Sequence, residues 1–482
     1  MPQKARRRHP RVTARAAPPA GPGPRFRRDA ASTTQAPMRT LVLAALAVVS
    51  FSCAGTAMEP TGGGAGGSDG GALGGGSGGG GGPTGGGTGG GNTGGGMGGG
   101  SVGGGAGGGA GTCMAGALLA QLGKSRLLVG ASMDDSVASR APFTLRYQYL
   151  AGGLFPGATP CASCTSGCNS EWWGCWQDTS LPPGEYVRGF VSKAKARAMI
   201  PMITYYEVLA VAGWSEGADE VAAMNDAANT TKVFNDWRFM LQQVGNDVAF
   251  LHLEPDFWGY AQQGQDDPHA IPAKVKAGNP TDCASEEDSI AGFGRCLVAM
   301  VRKYAPNAKV GLHASGWATN KDVTGGSDPT VDWAAEARKV GTFLKESAPG
   351  ADFIVVEASD RDAGWYETVR GRNTWWDVNN VTLPHFHRAF AWAKTVAETA
   401  GKPLVWWQLP VGNASGNNTH QHYKDNRVEY FFAHPDEVAA AHGAGFAFGA
   451  GESAQTNPST DGDVLVNKVR AYSAAGGQAP CP

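Results

Sequence analysis

A closed α/β barrel of eight parallel strands, the (β/α)8 TIM barrel, is the fold class this sequence predicts for residues 113–482, on three observations. Short apolar, β-rich runs recur eight times, at 127–131, 144–150, 200–206, 248–253, 309–313, 353–357, 404–409 and 445–449. Helix-patterned segments lie between most of them, at 184–197, 231–244, 289–304, 333–347, 383–400 and 435–442, the alternation of a parallel sheet wound with helices. The runs are near-continuously apolar, as strands covered on both faces must be. Eight such strands in roughly 370 residues match one barrel carrying insertions. Only the first unit departs from the pattern. Between 131 and 144 there is room for little helix, so an irregular unit or a hairpin is expected there.

The rest of the 482 residues is of a different kind. Of the 73 glycines in the chain, 35 fall in 54–112, where Gly-rich sequence with scattered Ser, Thr and Ala buries too little apolar surface to offset its ordering entropy. That stretch reads as a flexible linker, with a typical reach of roughly 40 Å. Residues 1–37 hold nine of the 40 basic residues and one of the 42 acids, so the remainder is acidic by ten. An acidic body makes a poor nucleic-acid binder, because that affinity comes from cations displacing counterions on phosphate. The basic segment is either a disordered nucleic-acid or membrane tail or an over-extended start. Met38-Arg39, the apolar run 40–49 and Ser50-Phe51-Ser52-Cys53 read as a secretory signal beginning at an internal methionine, at 38–53. A small residue before a cysteine at that place resembles the lipobox of bacterial lipoproteins, although Ser50 stands where an aliphatic residue is usual. Lipidation at Cys53, a membrane anchor at a cell surface or periplasm, and a tethered folded domain follow from it, with plain secretion as the alternative.

Nine cysteines less Cys53 leave eight, and disulfides are expected in an exported chain. Cys113 with Cys481 would join the ends of the folded region, and Cys283 with Cys296 would close an insertion. Cys161, Cys164, Cys168 and Cys175 form either two disulfides, in an order the spacing does not reveal, or a four-thiolate zinc site.

Chemistry on a barrel of this class sits where strands end and loops begin, at the carboxyl face. The polar residues fall there: Asp134 and Asp135; Arg146, Gln148 and Tyr149; Tyr206 and Glu207; His252, Glu254 and Asp256; His313 and Trp317; Glu357 and Asp360; Gln408; and Glu452. The sharpest motif is His252-Leu253-Glu254-Pro255-Asp256. A period of two puts its three ionisable groups on one face and the leucines on the other, and burying carboxylates without partners is costly enough to suggest a role. The apolar run of strand six stops at Glu357, with Asp360 close behind. Two carboxylates on separate strand ends suit hydrolysis of a glycosidic bond, one protonated to assist the leaving oxygen and one ionised as nucleophile or base. His252 and His313 are positioned to set their protonation. All 14 tryptophans lie in the folded region. Trp172, Trp173 and Trp176, and later Trp214, Trp258, Trp317, Trp365, Trp375 and Trp376, fall in loops or just after strands, where aromatic surface is a liability unless a ligand covers it. A polar loop after strand seven, carrying His422, Asp425 and Arg427, is expected to fold over the cleft.

Taken together, the exported barrel, the HLEPD segment on strand four, the glutamate on strand six and the tryptophan-rich loops resemble the TIM-barrel glycoside hydrolases. The chain departs from the large clan with Asn-Glu on strand four and Glu on strand seven, since Leu253 precedes Glu254 and strand seven ends in Gln408. Acids on strands four and six are more similar to the α-galactosidase-like barrels, whose motif residues are aspartates. The resemblance implies a catalytic pair drawn from Glu254 or Asp256 and from Glu357 or Asp360, with Glu254 and Glu357 the first expectation. The expected carbohydrate contacts are His252, His313, Trp258, Trp317, Tyr206, Arg146, Gln408, His422, Asp425 and Arg427. It implies a monomer acting on a poly- or oligosaccharide with no cofactor and no nucleic-acid partner. Two alternatives stay open on the residues alone. One is a divalent-metal hydrolase, isomerase or lyase with ligands from His252, Glu254, Asp256, His313 and Glu357; the other is a carbohydrate-binding lipoprotein without catalysis.

Overall fold

The computed structural model describes residues 113–156 and 183–481. Cys53, the linker, the four cysteines at 161–175 and the three tryptophans among them lie outside the described residues.

The eight expected strands form β1 (Leu128–Ser132), β2 (Leu145–Leu150), β3 (Ile200–Tyr205), β4 (Phe250–Leu253), β5 (Lys309–Ala314), β6 (Phe353–Glu357), β7 (Leu404–Leu409) and β8 (Gly443–Phe448). Each pairs in parallel with the next, and β8 closes on β1 through Leu128↔Gly445 to Ala131↔Phe448. The first unit is parallel and not a hairpin. A single helical turn, Asp135–Ala138, makes its crossover, capped by the Asp134 carboxylate accepting from the Val137 amide at 2.8 Å.

Period-two alternation sorts each strand into two sets. Val129, Ile203, Leu251, Leu253, Val310, Ile354 and Trp406 pack outward against helices such as Ala227–Val244, Ile290–Tyr304 and Phe386–Ala400. Leu145, Tyr147, Tyr149, Met202, Phe250, Phe353, Val355, Val405 and Trp407 fill the interior, so the barrel is a packed core and not a pore. Gly311 makes this filling possible, since a Cβ there would strike the ring of Phe353. The interior cluster runs down into Leu118 and Leu119 of the helix Met114–Gln121, which therefore closes the floor at the strands' amino ends. A disulfide from Cys113 to Cys481, with Cα atoms 6.0 Å apart, clamps that helix to the chain's end. A second joins Cys283 to Cys296, the latter on the helix Ile290–Tyr304. Among the described residues no helix is long and apolar enough to cross a membrane.

Behind β3 and β4 lies a set of buried acids. Asp236 accepts from the Phe155 amide at 2.6 Å and the Tyr205 hydroxyl at 2.9 Å, while Glu207 accepts from the Gly153 amide at 3.2 Å. Burial raises Asp236 to about 7, raises Glu220 to about 8, and lifts Glu207 well above the carboxylate range. A carboxyl with a raised folded pKa binds more protons folded than unfolded, so its contribution is full below about pH 4 and is lost as pH rises through the folded value. The melting temperature is therefore expected to fall by several degrees between pH 5 and pH 9. Thermal scans across that range should show a shallower slope for Glu207→Gln.

Candidate active site

β4 carries His252 into the barrel, and there the alternation stops. Glu254 has φ +46°, a left-handed conformation that costs a side-chain-bearing residue strain. Its amide still pairs with the Tyr205 carbonyl at 2.8 Å, but its side chain turns to the end of β3, where Oε1 accepts from the amides of Glu207 and Val208, each at 3.1 Å. Fully enclosed, with Oε2 unpartnered, its carboxyl is raised well above the usual range, first by burial. Asp256, two residues on, remains partly exposed at the start of the helix Phe257–Gly264 and accepts from the Tyr206 hydroxyl at 2.9 Å. Burial and the neighbouring Glu216 raise it to about 7, while the Tyr206 hydrogen bond pulls the other way.

Beneath the mouth runs a chain of polar groups within the apolar interior. The Thr204 hydroxyl is 3.2 Å from His252 Nδ1, His252 Nε2 is 3.1 Å from His313 Nδ1, and His313 Nε2 is 3.9 Å from Glu357 Oε1. Burial drives His252 well below its ordinary value and His313 to about 3. Both rings are therefore neutral at working pH, each with one proton and one lone pair. Trp407 presses edgewise on both, with centroids 4.7 and 5.6 Å away. The hydrogen bonds join Thr204, His252 and His313 and stop short of Glu357, since His313 Nε2 has no hydrogen-bond partner.

Glu357 closes β6 and remains partly open to solvent, its side chain 14% exposed. Burial, then Asp256 and Asp360, then Asp322, hold its carboxyl well above the usual range against the opposing pull of Arg361. Asp360 pairs with Arg361 and accepts from the Tyr366 hydroxyl at 2.6 Å; Arg361 Nε reaches Glu452 at 3.3 Å. Gln408, also at positive φ (+52°), accepts from the Tyr149 hydroxyl. Gly451 lets the loop after β8 come against the Asp360 carbonyl and Gln408, where any Cβ would collide.

The expected contacts divide accordingly. Tyr206, Gln408, Asp256, Glu357 and Asp360 meet at the mouth. Trp317 lies on its rim, partly exposed and 4.7 Å from the Tyr260 ring. His252 and His313 are under the mouth and fully buried. Arg146 points outward from β2, giving Nε and Nη2 to the Met133 carbonyl and Nη1 to Asp135 at 2.7 Å. Trp258 is core: its indole donates to the Leu253 carbonyl and packs on Phe257 and Phe293. Asp425 and Arg427 form a buried ion pair at 2.8 Å that ties loops together. His422 is exposed on the wall of a separate cavity of about 250 Å³, beside Asn413, Tyr423 and Thr456. Tyr149 and Trp407 belong to the site and were detectable as inward partners of Tyr147 and Val405 at a spacing of two. Asp362 is a further tie, accepting from the amides of Gly412 and Thr456, both at 2.8 Å. Among the described residues no group of three or more His, Cys, Asp or Glu is arranged to hold a metal ion, since Glu254 faces β3 and the histidines face each other.

No protein-family model matches the chain, and no curated protein does. Solved structures similar to it include a modular endo-beta-1,4-mannanase from Cellulomonas fimi, 14% identical over 75% of this chain and 74% of that one, with a TM-score of 0.41. A xyloglucan-specific beta-1,4-glucanase from a ruminal metagenomic library is 10% identical over 73% of this chain and 89% of its own, at 0.41. A beta-1,4-mannanase from the sea hare Aplysia kurodai is 12% identical over 74% and 96%, at 0.39. The folded region is a closed (β/α)8 barrel with three carboxylates, a glutamine and two tyrosines gathered at its carboxyl mouth.

Proposed function

We propose that the barrel is a glycoside hydrolase in which Glu357 is the general acid and Asp256 the second carboxylate. The observation that carries this reading is the unequal setting of two acids at one mouth. Glu357 is largely enclosed beside Asp256 and Asp360, and burial and both carboxylates favour its protonated form against the pull of Arg361. Asp256 receives a hydrogen bond from Tyr206 that favours its ionised form. Paired groups whose surroundings push them apart take the acid and base roles. Glu357 then delivers its proton to the glycosidic oxygen as the bond to the anomeric carbon breaks, and Asp256 attacks that carbon or activates the water that does.

Sign and window of the pH dependence follow. Ionised Asp256 is required, so kcat/KM rises with pH through about 7; protonated Glu357 is also required, so it falls again at higher pH. The primary test is release of reducing ends from a polysaccharide panel by the full chain. Retention of polysaccharide without any release would favour a binding protein and overturn the enzyme reading.

We place this enzyme outside the cytoplasm, anchored through Cys53 and held off the membrane by the 54–112 segment. The two disulfides support an oxidising compartment. Cys53→Ala is expected to move the protein from the membrane pellet to the soluble fraction, which immunoblotting of fractionated cells would read.

A further inference from the structure

Deepening the hydrolase reading, we infer that the substrate is an anionic polysaccharide whose uronate carboxylates are received by Arg370 and Arg372, on the segment following β6.

This segment places three arginines within 12 residues, 361–372, of a body that is otherwise net acidic. Their settings differ. Arg361 is spoken for, with carboxylate partners in Asp360 and Glu452. Arg370 and Arg372 are exposed, and among the described residues neither has a carboxylate within ion-pair distance. They are nevertheless held in place. The Arg370 guanidinium lies 5.3 Å from the centre of the Trp365 ring and that of Arg372 lies 5.4 Å from the centre of Tyr366. Trp365 and Tyr366 are themselves 5.1 Å apart.

The stack leads straight to the acids. Arg361 lies 5.1 Å from the same Trp365 ring, and the Tyr366 hydroxyl donates to Asp360 at 2.6 Å. From Asp360 outward the order is therefore tyrosine and tryptophan, then two uncompensated cations. Backbone winding serves this arrangement: Tyr366–Arg370 is a π-helical turn ended by Gly371 at φ +63°, a rare winding found mostly at functional sites.

A guanidinium stacked on an aromatic ring keeps its edge N–H groups free, and that edge is the planar fork that fits a carboxylate. The guanidiniums also take these rings out of use as platforms for a sugar face. With guanidiniums over Trp365 and Tyr366, this side of the mouth offers cationic edges where a neutral sugar would want bare aromatic faces. A neutral glycan gains nothing from two such cations, whereas a polyuronate needs them, because ionised Asp256, together with Asp360 and Glu452 that share Arg361 between them, would otherwise repel it.

Binding is measured with the full chain carrying Glu357→Gln, so that polymers stay intact during affinity electrophoresis. The probes are alginate, polygalacturonate and glucuronoxylan, each beside its carboxyl-reduced form, which keeps the chain and removes the charge. At least one native polymer is expected to bind tenfold or more tightly than its reduced form. Adding Arg370→Ala and Arg372→Ala should bring it down to the reduced form's level, and thermal melting of that variant verifies that it is folded. Equal binding of native and reduced forms, binding that survives both arginine replacements, or no binding to any uronate polymer overturns the anionic-substrate proposal. The hydrolase reading fails separately: selective uronate binding with no reducing ends released by the unsubstituted chain defeats it and leaves the arginine site standing.

Discussion

Glu357→Gln is expected to lower kcat by ~10²–10⁴-fold, the usual worth of a positioned proton donor, while polysaccharide binding persists. Glutamine keeps the size and the acceptor oxygen and lacks only the proton that the leaving oxygen needs. A loss confined to kcat, with KM little changed, marks an interaction made in the transition state and not in the ground state. Asp256→Asn should be comparably severe and should erase the rise in rate through about pH 7. The contrast is Glu254→Gln. Its carboxyl is enclosed, already favours the neutral form, and holds the Glu207 and Val208 amides through one oxygen that glutamine retains. Turnover within a few-fold of the unsubstituted chain is expected for it. If Glu254→Gln abolishes activity and Glu357→Gln spares it, the pairing of Asp256 with Glu357 is wrong. Initial-rate kinetics on all three variants, against whichever polymer the full chain cleaves, decides the matter.

The difference between Glu254 and Asp256 shows where reading from sequence stops. Strands could be located because burial on both faces leaves an unbroken apolar run, and all eight were recovered with ends shifted by no more than about two residues, a shift expected of strand assignment. Placing side chains inside or outside needs the period to hold. It holds within β4 as far as Leu253. Reading His252, Glu254 and Asp256 as one face carries the period past the strand's end, and the positive φ at Glu254 breaks it there. Gln408 breaks it on β7 in the same way, beside a register shift against β8. Arg146 is a different error. Tyr147 and Tyr149 face inward, so the same period places Arg146 outward, and grouping it with Tyr149 by closeness in sequence ignored the alternation. Trp258 was read as a loop aromatic, but it lies in a helix that turns it into the core. Nothing in the sequence marks the stacking of Arg370 and Arg372, because it depends on the π-helical turn between them and Trp365.

Asp425→Ala is expected to destabilise the fold by ~3–5 kcal/mol, the usual penalty for leaving one partner of a buried ion pair alone. That corresponds to a melting temperature lower by about 4–7 °C for a domain of this size. Neither side chain of the Asp425 and Arg427 pair is exposed. Asp425 Oδ2 also accepts from the Ala363 amide at 2.7 Å, and Arg427 gives Nη2 to the Thr374 carbonyl at 2.9 Å while lying 4.7 Å from the centre of Trp376. Removing the carboxylate strands a guanidinium with no route to water. The double variant Asp425→Ala/Arg427→Met should regain much of the loss, because an apolar replacement of both partners removes the desolvation cost along with the attraction. A ligand contact would behave oppositely, raising KM at unchanged melting temperature. The knot also has a functional reach. Asp425 fixes Ala363, next to the Asp362 carboxylate that joins the loops after β6, β7 and β8. Loosening it frees the backbone that aims Asp360 and Arg361 at the mouth, so activity should fall below the melting transition, and the double variant should restore it in step with stability.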